Sequence, residues 1–554
     1  MFKQVLDPVG DSLFLSALFA ALPLITLFIL LGGLKWKAHF AALASLAMAL
    51  IVAIVVYSMP AGQAADAAIL GACFGLFPIM WIVWNAIWIY NMTEETGHFA
   101  VLRRSFASIS DDQRVQAVII AFSFGALIEA LAGFGAPVAI TAAMLMALGF
   151  QPIKAAAVAL VANTAPVAFG AIATPIITLS EVSSLPKDDL GAMVGRQTPF
   201  LALIVPLILI AMVDGRRGIR QTWPAAVVGG VTFAIGQFVC SNYISVEITD
   251  IVASLLSAFA IVLLMRVWQP AEPMGGESRF TRPAIAGAAT ADTTHEREVL
   301  RRSDDTKDSR SDVILAYMPY VIIVAVLSLA QLAPIKEALD SVTKEIDWPG
   351  LNVVNAAGEE PAPATFKLNW ALSPGTLLLV SGILTMLVLR ISPGRALRAY
   401  GRMISQLKWA TLTVATVLAL AYVMNFSAQT LTLGQWIAGA GGVLAFLSSI
   451  IGWLGVAVTG SDTSSNALFG GLQVQAANEA GLNPTLLAAA NSSGGVLGKM
   501  ISPQNLAIGA AAVGLAGQEG ELFRTVLKWS IALVLIMCVI VLLQSTAILS
   551  WMVV

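Results

Sequence analysis

The chain has 554 residues, 58% hydrophobic and 12% charged, with a formal net charge of −2. A mean hydropathy of +0.83 excludes an ordinary soluble domain and predicts an all-α polytopic membrane protein. There is no dense basic patch for nucleic acid, and Cys73, Cys240 and Cys538 lie in apolar spans, where they read as small core residues. His39, His98 and His295 sit at span edges or in hydrophilic sequence, so neither a metal site nor a cofactor is expected.

In chain order, apolar spans are predicted at 12–34, 40–59 and 66–91. The first follows Asp7 and Asp11 without a basic leader and reads as a retained helix. The basic turn Lys35-Trp-Lys37 and the stretch with Arg103, Arg104 and Arg114 are placed in the cytoplasm, hence the N-terminus outside. Segments follow at 114–131, 136–150, 155–178, 197–213, 222–240 and 248–265, with a basic loop at 214–220. Residues 271–311 are Gly, Ser, Thr, Ala, Asp and Arg with few large apolar side chains, a hydrophilic cytoplasmic linker. It divides an N-terminal half, 1–270, from a C-terminal half, 312–554. The second half has a span at 312–332, a polar external loop at 333–372, and segments at 373–390, 408–427, 432–458, 462–478, 484–510 and 527–552. This makes roughly 14–16 membrane segments, of which 136–150 and 462–478 are short enough to re-enter.

Two stretches break the apolar pattern. The first holds Glu129, Gly133-Phe-Gly-Ala-Pro137 and Asn163-Thr-Ala-Pro-Val-Ala-Phe-Gly170. The second holds Gly460-Ser-Asp-Thr-Ser-Ser-Asn466 and Asn491-Ser-Ser-Gly-Gly-Val-Leu-Gly-Lys-Met-Ile-Ser-Pro-Gln504. Polar and charged groups at membrane depth are costly unless they face a cavity, a partner or a ligand. Helix breaks are predicted at Gly133, Gly135, Pro137, Pro166, Gly494, Gly495 and Pro503. Paired breaks in corresponding halves point to a secondary transporter's binding site between two inverted repeats. A Gly-x-x-Pro turn precedes each later break, Gly149-Phe-Gln-Pro152 and Gly481-Leu-Asn-Pro484.

The chemistry of these residues divides into two sets. Glu129 and Asp462 are carboxylates within apolar spans and the expected proton carriers, because burial disfavours the charge. Structural readings compete: Glu129 as a bundle ion pair, and Asp462 as a helix cap among Ser461, Thr463, Ser464, Ser465 and Asn466. Lys499 is the lone cation in the second break, either paired with Asp462 or Glu129 or serving as counter-charge for a small carboxylate. The expected substrate contacts are Lys499, Ser461, Thr463, Ser464, Asn163, Thr164, Asn491, Ser492 and Gln504. Lys154 is read as snorkelling at a span end.

The runs Phe124–Ile140, Asn163–Gly170, Gly452–Phe469 and Gly498–Gln504 resemble the bacterial L-lactate permease family, and the resemblance extends over nearly the whole chain. The departures are the hydrophilic regions 271–311 and 333–372. The resemblance implies an inner-membrane symporter of protons with lactate and related 2-hydroxy monocarboxylates such as glycolate, not an enzyme. The runner-up is a sodium-coupled carboxylate transporter, since hydroxyls and carbonyls at broken helices also suit a hard cation. A membrane aspartyl protease would need two adjoining carboxylates, and a passive channel would not accumulate its solute.

Overall fold

The computed structural model describes residues 2–110, 112–133, 135–274, 308–354, 364–515 and 518–554. Among them, ten helices are long and apolar enough to cross a bilayer, and a further apolar pair, bent by 64° between Ala162 and Val167, forms a broken span or a re-entrant loop. Two shorter apolar helices, Ala136–Ala147 and Pro374–Val388, accompany them. The chain is a multi-pass helical membrane protein.

The first half begins with α1 (Leu13–Phe28), α2 (Ala38–Val55), α3 (Ala61–Phe74), α4 (Trp81–Glu95) and α5 (His98–Ala107). The predicted 66–91 span falls within one apolar stretch, Ala61–Glu95, kinked between α3 and α4 where the chain leaves helical angles at Phe77 and Pro78 withdraws a backbone donor. Then come α6 (Gln113–Leu131), α7 (Ala136–Ala147), α8 (Pro152–Ala162) and α9 (Gly170–Ser183), which contain the first polar region. They are followed by α10 (Lys187–Val194), α11 (Pro199–Tyr243) and α12 (Thr249–Val267). α11 joins two predicted spans nearly end to end, interrupted at Asp214 and Gly215.

Most of the predicted linker, 275–307, lies outside the described residues. Its flanks dock on the α5–α6 connection. Asp308 takes two hydrogen bonds from Arg104, at 2.6 and 2.8 Å, and the Glu272 carbonyl accepts from Arg114 at 2.7 Å.

The second half comprises α13 (Arg310–Ala330), α14 (Ala333–Asp340), α15 (Pro374–Val388), α16 (Pro393–Phe426), α17 (Gln429–Ala438) and α18 (Leu444–Thr459). It ends with α19 (Asp462–Glu479), α20 (Pro484–Gly498), α21 (Pro503–Ala512) and α22 (Glu519–Gln544). The predicted span 432–458 is corrected to two helices, since glycines 439, 441 and 442 interrupt it. The polar loop 333–372 carries structure of its own. β2 (Lys344–Asp347) pairs antiparallel with β4 (Thr365–Leu368), and β3 (Val353–Val354) runs parallel to β1 (Phe2–Lys3). Residues 355–363 of that loop lie outside the described residues.

The two polar regions share one element order: helix, break, helix, glycine turn, broken helix. Gly149 and Gly481 take φ of +87° and +66°, and Pro152 and Pro484 then open α8 and α20, where a missing N–H costs nothing. Packing between the regions is reciprocal, α19 lying on α9 and α7 on α21.

Gly494 and Gly495 are not helix breaks, contrary to expectation; both lie inside α20, and the chain leaves α geometry only at Lys499–Ile501. Their role is close approach. A Cβ at Gly494 would overlap the Ser449 backbone, one at Gly498 the Trp453 carbonyl, and one at Gly452 of α18 the Asn491 carbonyl. Three glycines therefore let α18 and α20 touch backbone to backbone.

Candidate functional site

The two breaks meet around a cavity of about 880 Å³. Glu129, Gly133, Gly135, Gly170 and Thr174 line it from the first half, and Ser461, Asp462, Thr463, Ser464, Lys499, Pro503, Gln504 and Asn505 from the second. Lys35, Lys37, His39, Trp409 and Glu519 also line it. His39 is stacked on Trp409, with ring centroids 4.4 Å apart.

Glu129 sits one turn before the end of α6, which Gly133 stops. It is 3% exposed, and both oxygens are held: Oε1 accepts from Lys499 Nζ at 2.7 Å and Oε2 from Asn163 Nδ2 at 2.9 Å. Lys499, 7% exposed, lies in the single 3₁₀ turn between α20 and α21. The pair thus spans the two breaks. Of the two partners considered for Lys499, the ion pair goes to Glu129.

α9 reaches Glu129 through a local reversal of hand. Ala171, Ile172 and Ala173 have φ of 43°, 56° and 55°, a left-handed turn without glycine. Such backbone costs about 1–2 kcal/mol per residue and persists only where packing imposes it. It leaves the bare Gly170 against the carboxylate: a Cβ there would stand 2.8 Å from Glu129 Oε1.

Two helix N-termini also face the cavity. Ser461 caps α19 by accepting from Ser464 N at 3.2 Å, and Ser502 caps α21 by accepting from Asn505 N at 3.3 Å. The cap role weighed for Asp462 falls to Ser461. Helix N-termini carry positive partial charge and favour anions.

Asp462, 3% exposed, accepts from Ser492 Oγ at 2.6 Å and from Asn466 Nδ2 at 3.4 Å through Oδ2, while Oδ1 has no partner among the described residues. From it a buried ladder of amides runs away from the cavity. Asn491 Nδ2 donates to Asn466 Oδ1 at 2.9 Å, Gln473 Nε2 to Asn491 Oδ1 at 3.3 Å, and Ser448 Oγ to Gln473 Oε1 at 2.9 Å. Asn466 also donates to the Pro175 carbonyl at 3.1 Å, stitching α19 to α9.

Of the expected substrate contacts, Lys499, Ser461, Thr463, Ser464 and Gln504 line the cavity. Asn163, Asn491 and Ser492 stand behind it and hold Glu129, Asn466 and Asp462, while the Thr164 hydroxyl bonds back to the Val161 carbonyl at 2.7 Å. Thr174 and Asn505, which belong to the two polar stretches but carry no assigned role there, also line the cavity, and the buried Asp250 is absent from the sequence expectations. Asp250 left a signal, an acid at the start of an apolar span. Lys154, half-buried near the start of α8, donates to the Val213 carbonyl at 2.9 Å.

A bundle of membrane helices, broken around a cavity that pairs a buried lysine with a buried glutamate, defines a solute transporter. The family model described as L-lactate permease matches residues 16–548, and the chain belongs to that family. It is 41% identical to the L-lactate permease of Bacillus subtilis over 574 aligned residues, covering all of both chains. It is 40% identical to the L-lactate permease of Escherichia coli, again over the full length of both. Identity to the glycolate permease GlcA of E. coli is also 40%, over 98% of each chain. Among solved structures, MtrF of Neisseria gonorrhoeae matches with a TM-score of 0.43 at 16% identity, covering 84% of this chain and 81% of MtrF.

Proposed function

We propose that this protein imports L-lactate and related small 2-hydroxy monocarboxylates, D-lactate and glycolate among them, each with a proton, across the bacterial inner membrane. The observation that carries the proposal is the Lys499–Glu129 pair on the cavity wall, 2.7 Å between Nζ and Oε1. Relatives at about 40% identity are named for lactate and for glycolate, which supports this substrate class.

The mechanism follows from charge balance over the pair. Empty, ionised Glu129 neutralises Lys499. Loaded, a protonated Glu129 releases the ammonium, and the substrate carboxylate takes its place. Both states are neutral over pair and ligand. A substrate without its proton would leave one net negative charge in a buried site, and a proton without substrate one positive. Either uncompensated charge is expensive at low dielectric, so the two are taken up together. The N-termini of α19 and α21 add positive potential for the carboxylate, and the hydroxyls of Thr463 and Ser464 and the Gln504 amide offer partners for the 2-hydroxyl. In this account Asp462 anchors α19 through Ser492 and Asn466, and it remains the second candidate carrier.

A sodium ion fits less well, because both Glu129 oxygens are taken and an ammonium occupies the place a metal cation would need. The reciprocal packing of the two regions supports reading them as inverted repeats, and the basic residues Lys35 and Lys37 at the cavity support an inward-open state with the N-terminus outside. The test is purified protein in proteoliposomes. An inward lactate gradient should alkalinise the outer medium in sodium-free buffer, and a sodium requirement for uptake would contradict the proposal.

A further inference from the structure

A further buried carboxylate, besides Glu129 and Asp462, lies off the cavity lining. Asp250, in the first turn of α12, is 1% exposed. Its Oδ1 accepts from Gln237 Nε2 at 2.9 Å, and Oδ2 has no hydrogen-bond partner among the described residues. The ion pairs of nearby elements, Lys187–Glu247 and Arg114–Asp214, do not include it. An ionised carboxylate with one hydrogen bond and no cation is far more costly to bury than the neutral acid.

Its partner is held from both sides. Gln237 Nε2 also donates to the Ala165 carbonyl at 3.4 Å, and Gln237 Oε1 accepts from Thr198 Oγ1 at 3.0 Å. Both faces of the amide are used, with Asp250 and the Ala165 carbonyl on its donor side and, on its acceptor side, Thr198, whose one hydroxyl proton is shared with the Val194 carbonyl at 3.0 Å. Ala165 belongs to the break between α8 and α9, two residues after Asn163, whose amide holds Glu129 Oε2 at 2.9 Å. A chain of contacts therefore runs from Asp250 through Gln237 to the backbone that aims Asn163 at Glu129.

We propose that Asp250 is a positioning residue for Glu129, acting as a neutral acid that locks Gln237 onto the α8–α9 break. The proposal rests on the reading of Glu129 as the coupling group. Its role needs an acceptor at Oδ1 and no charge, so an amide should serve as well as the acid. An apolar side chain should free Gln237, loosen the Asn163 contact and change how Glu129 binds its proton.

The experiment is counterflow of labelled L-lactate in proteoliposomes, measured against concentration and pH for wild type, Asp250→Asn, Asp250→Leu and Gln237→Met. Asp250→Asn should keep the wild-type KM and pH profile. Asp250→Leu and Gln237→Met should each raise KM about tenfold, the scale of one buried hydrogen bond left unmade, and displace the pH profile in the same direction. A role confined to holding helices together would lower yield and leave KM and pH profile unmoved. If Asp250→Leu does not insert, Gln237→Met carries the same prediction. The proposal is overturned if Asp250→Asn loses exchange, or if the apolar variants keep both wild-type KM and pH profile. Wild-type protein without lactate counterflow would instead overturn the proposed function.

Discussion

Gly170 lies directly beneath the Glu129 carboxylate, so that a Cβ added to it would come within 2.8 Å of Oε1, the oxygen that receives the Lys499 ammonium. The glycine is there for space, and its neighbours Ala171–Ala173 bear the backbone strain that brings it in.

Gly170→Ala should therefore separate the ion pair without removing either partner. We expect protein at near-normal yield with lactate exchange reduced at least about tenfold, as for one charged hydrogen bond of roughly 1.5–3 kcal/mol. Gly32→Ala, where a Cβ meets nothing within 4 Å, is the control and should transport normally. Equal activity of the two variants would show that the carboxylate has room to move.

The amide ladder predicts a stability effect. Asn491→Ala leaves Asn466 Oδ1 without its donor in the protein interior, while Gln473 Nε2 keeps only the Ser448 carbonyl at 3.1 Å. The expected loss is about 1–3 kcal/mol per unpaired group, read as a lower thermal midpoint of the detergent-solubilised protein. An unchanged midpoint would mean that water replaces the amide.

Much of this was legible from composition alone. Pro166 and Pro503 interrupt helices where apolar sequence would otherwise continue, and the glycines at 149 and 481 mark turns, because those residue types act on their own backbone. What escaped depends on partners far along the chain. Lys499 and Glu129 are 370 residues apart, and no local pattern chooses Glu129 over Asp462. Gly494 and Gly495 looked like breaks, but their bare Cα atoms serve the approach of α18 and the Asp462 side chain. The left-handed turn at Ala171-Ile-Ala173 has no glycine to announce it, since tertiary packing imposes it.

Arg114 anchors the start of α6. It is 1% exposed and reaches Asp112 at 2.7 Å, Asp214 at 3.0 Å and Gln221 at 2.5 Å. Arg114→Ala should cost about 3–5 kcal/mol by leaving buried charge uncompensated, seen as poor yield with unchanged substrate preference in what survives. Arg114→Lys should recover little, since one ammonium does not reproduce the fork. Burial pushes the Asp112 carboxyl up, but hydrogen bonds from Arg114 and the Met274 N–H outweigh it and hold the group below its usual value. Its contribution to stability is therefore complete above a pH of about 4, the unfolded value, and is lost as pH falls below that through the folded value. Melting curves between neutral and acid pH should show the wild type losing this increment and Arg114→Lys losing less.

Lys499→Ala should insert yet fail in both exchange and accumulation, because the substrate carboxylate loses its counter-charge and Glu129 loses its partner. Lactate affinity equal to wild type in this variant would remove Lys499 from the binding site.

The central claim is that Glu129 trades the Lys499 ammonium for a proton each time substrate enters. Glu129→Gln mimics the protonated state and should leave Lys499 open to substrate. The decisive measurement places that variant in proteoliposomes and compares lactate counterflow with lactate accumulation driven by an imposed pH gradient. The account predicts that counterflow persists near the wild-type rate while pH-driven accumulation is lost. Accumulation at the wild-type level in Glu129→Gln would contradict it.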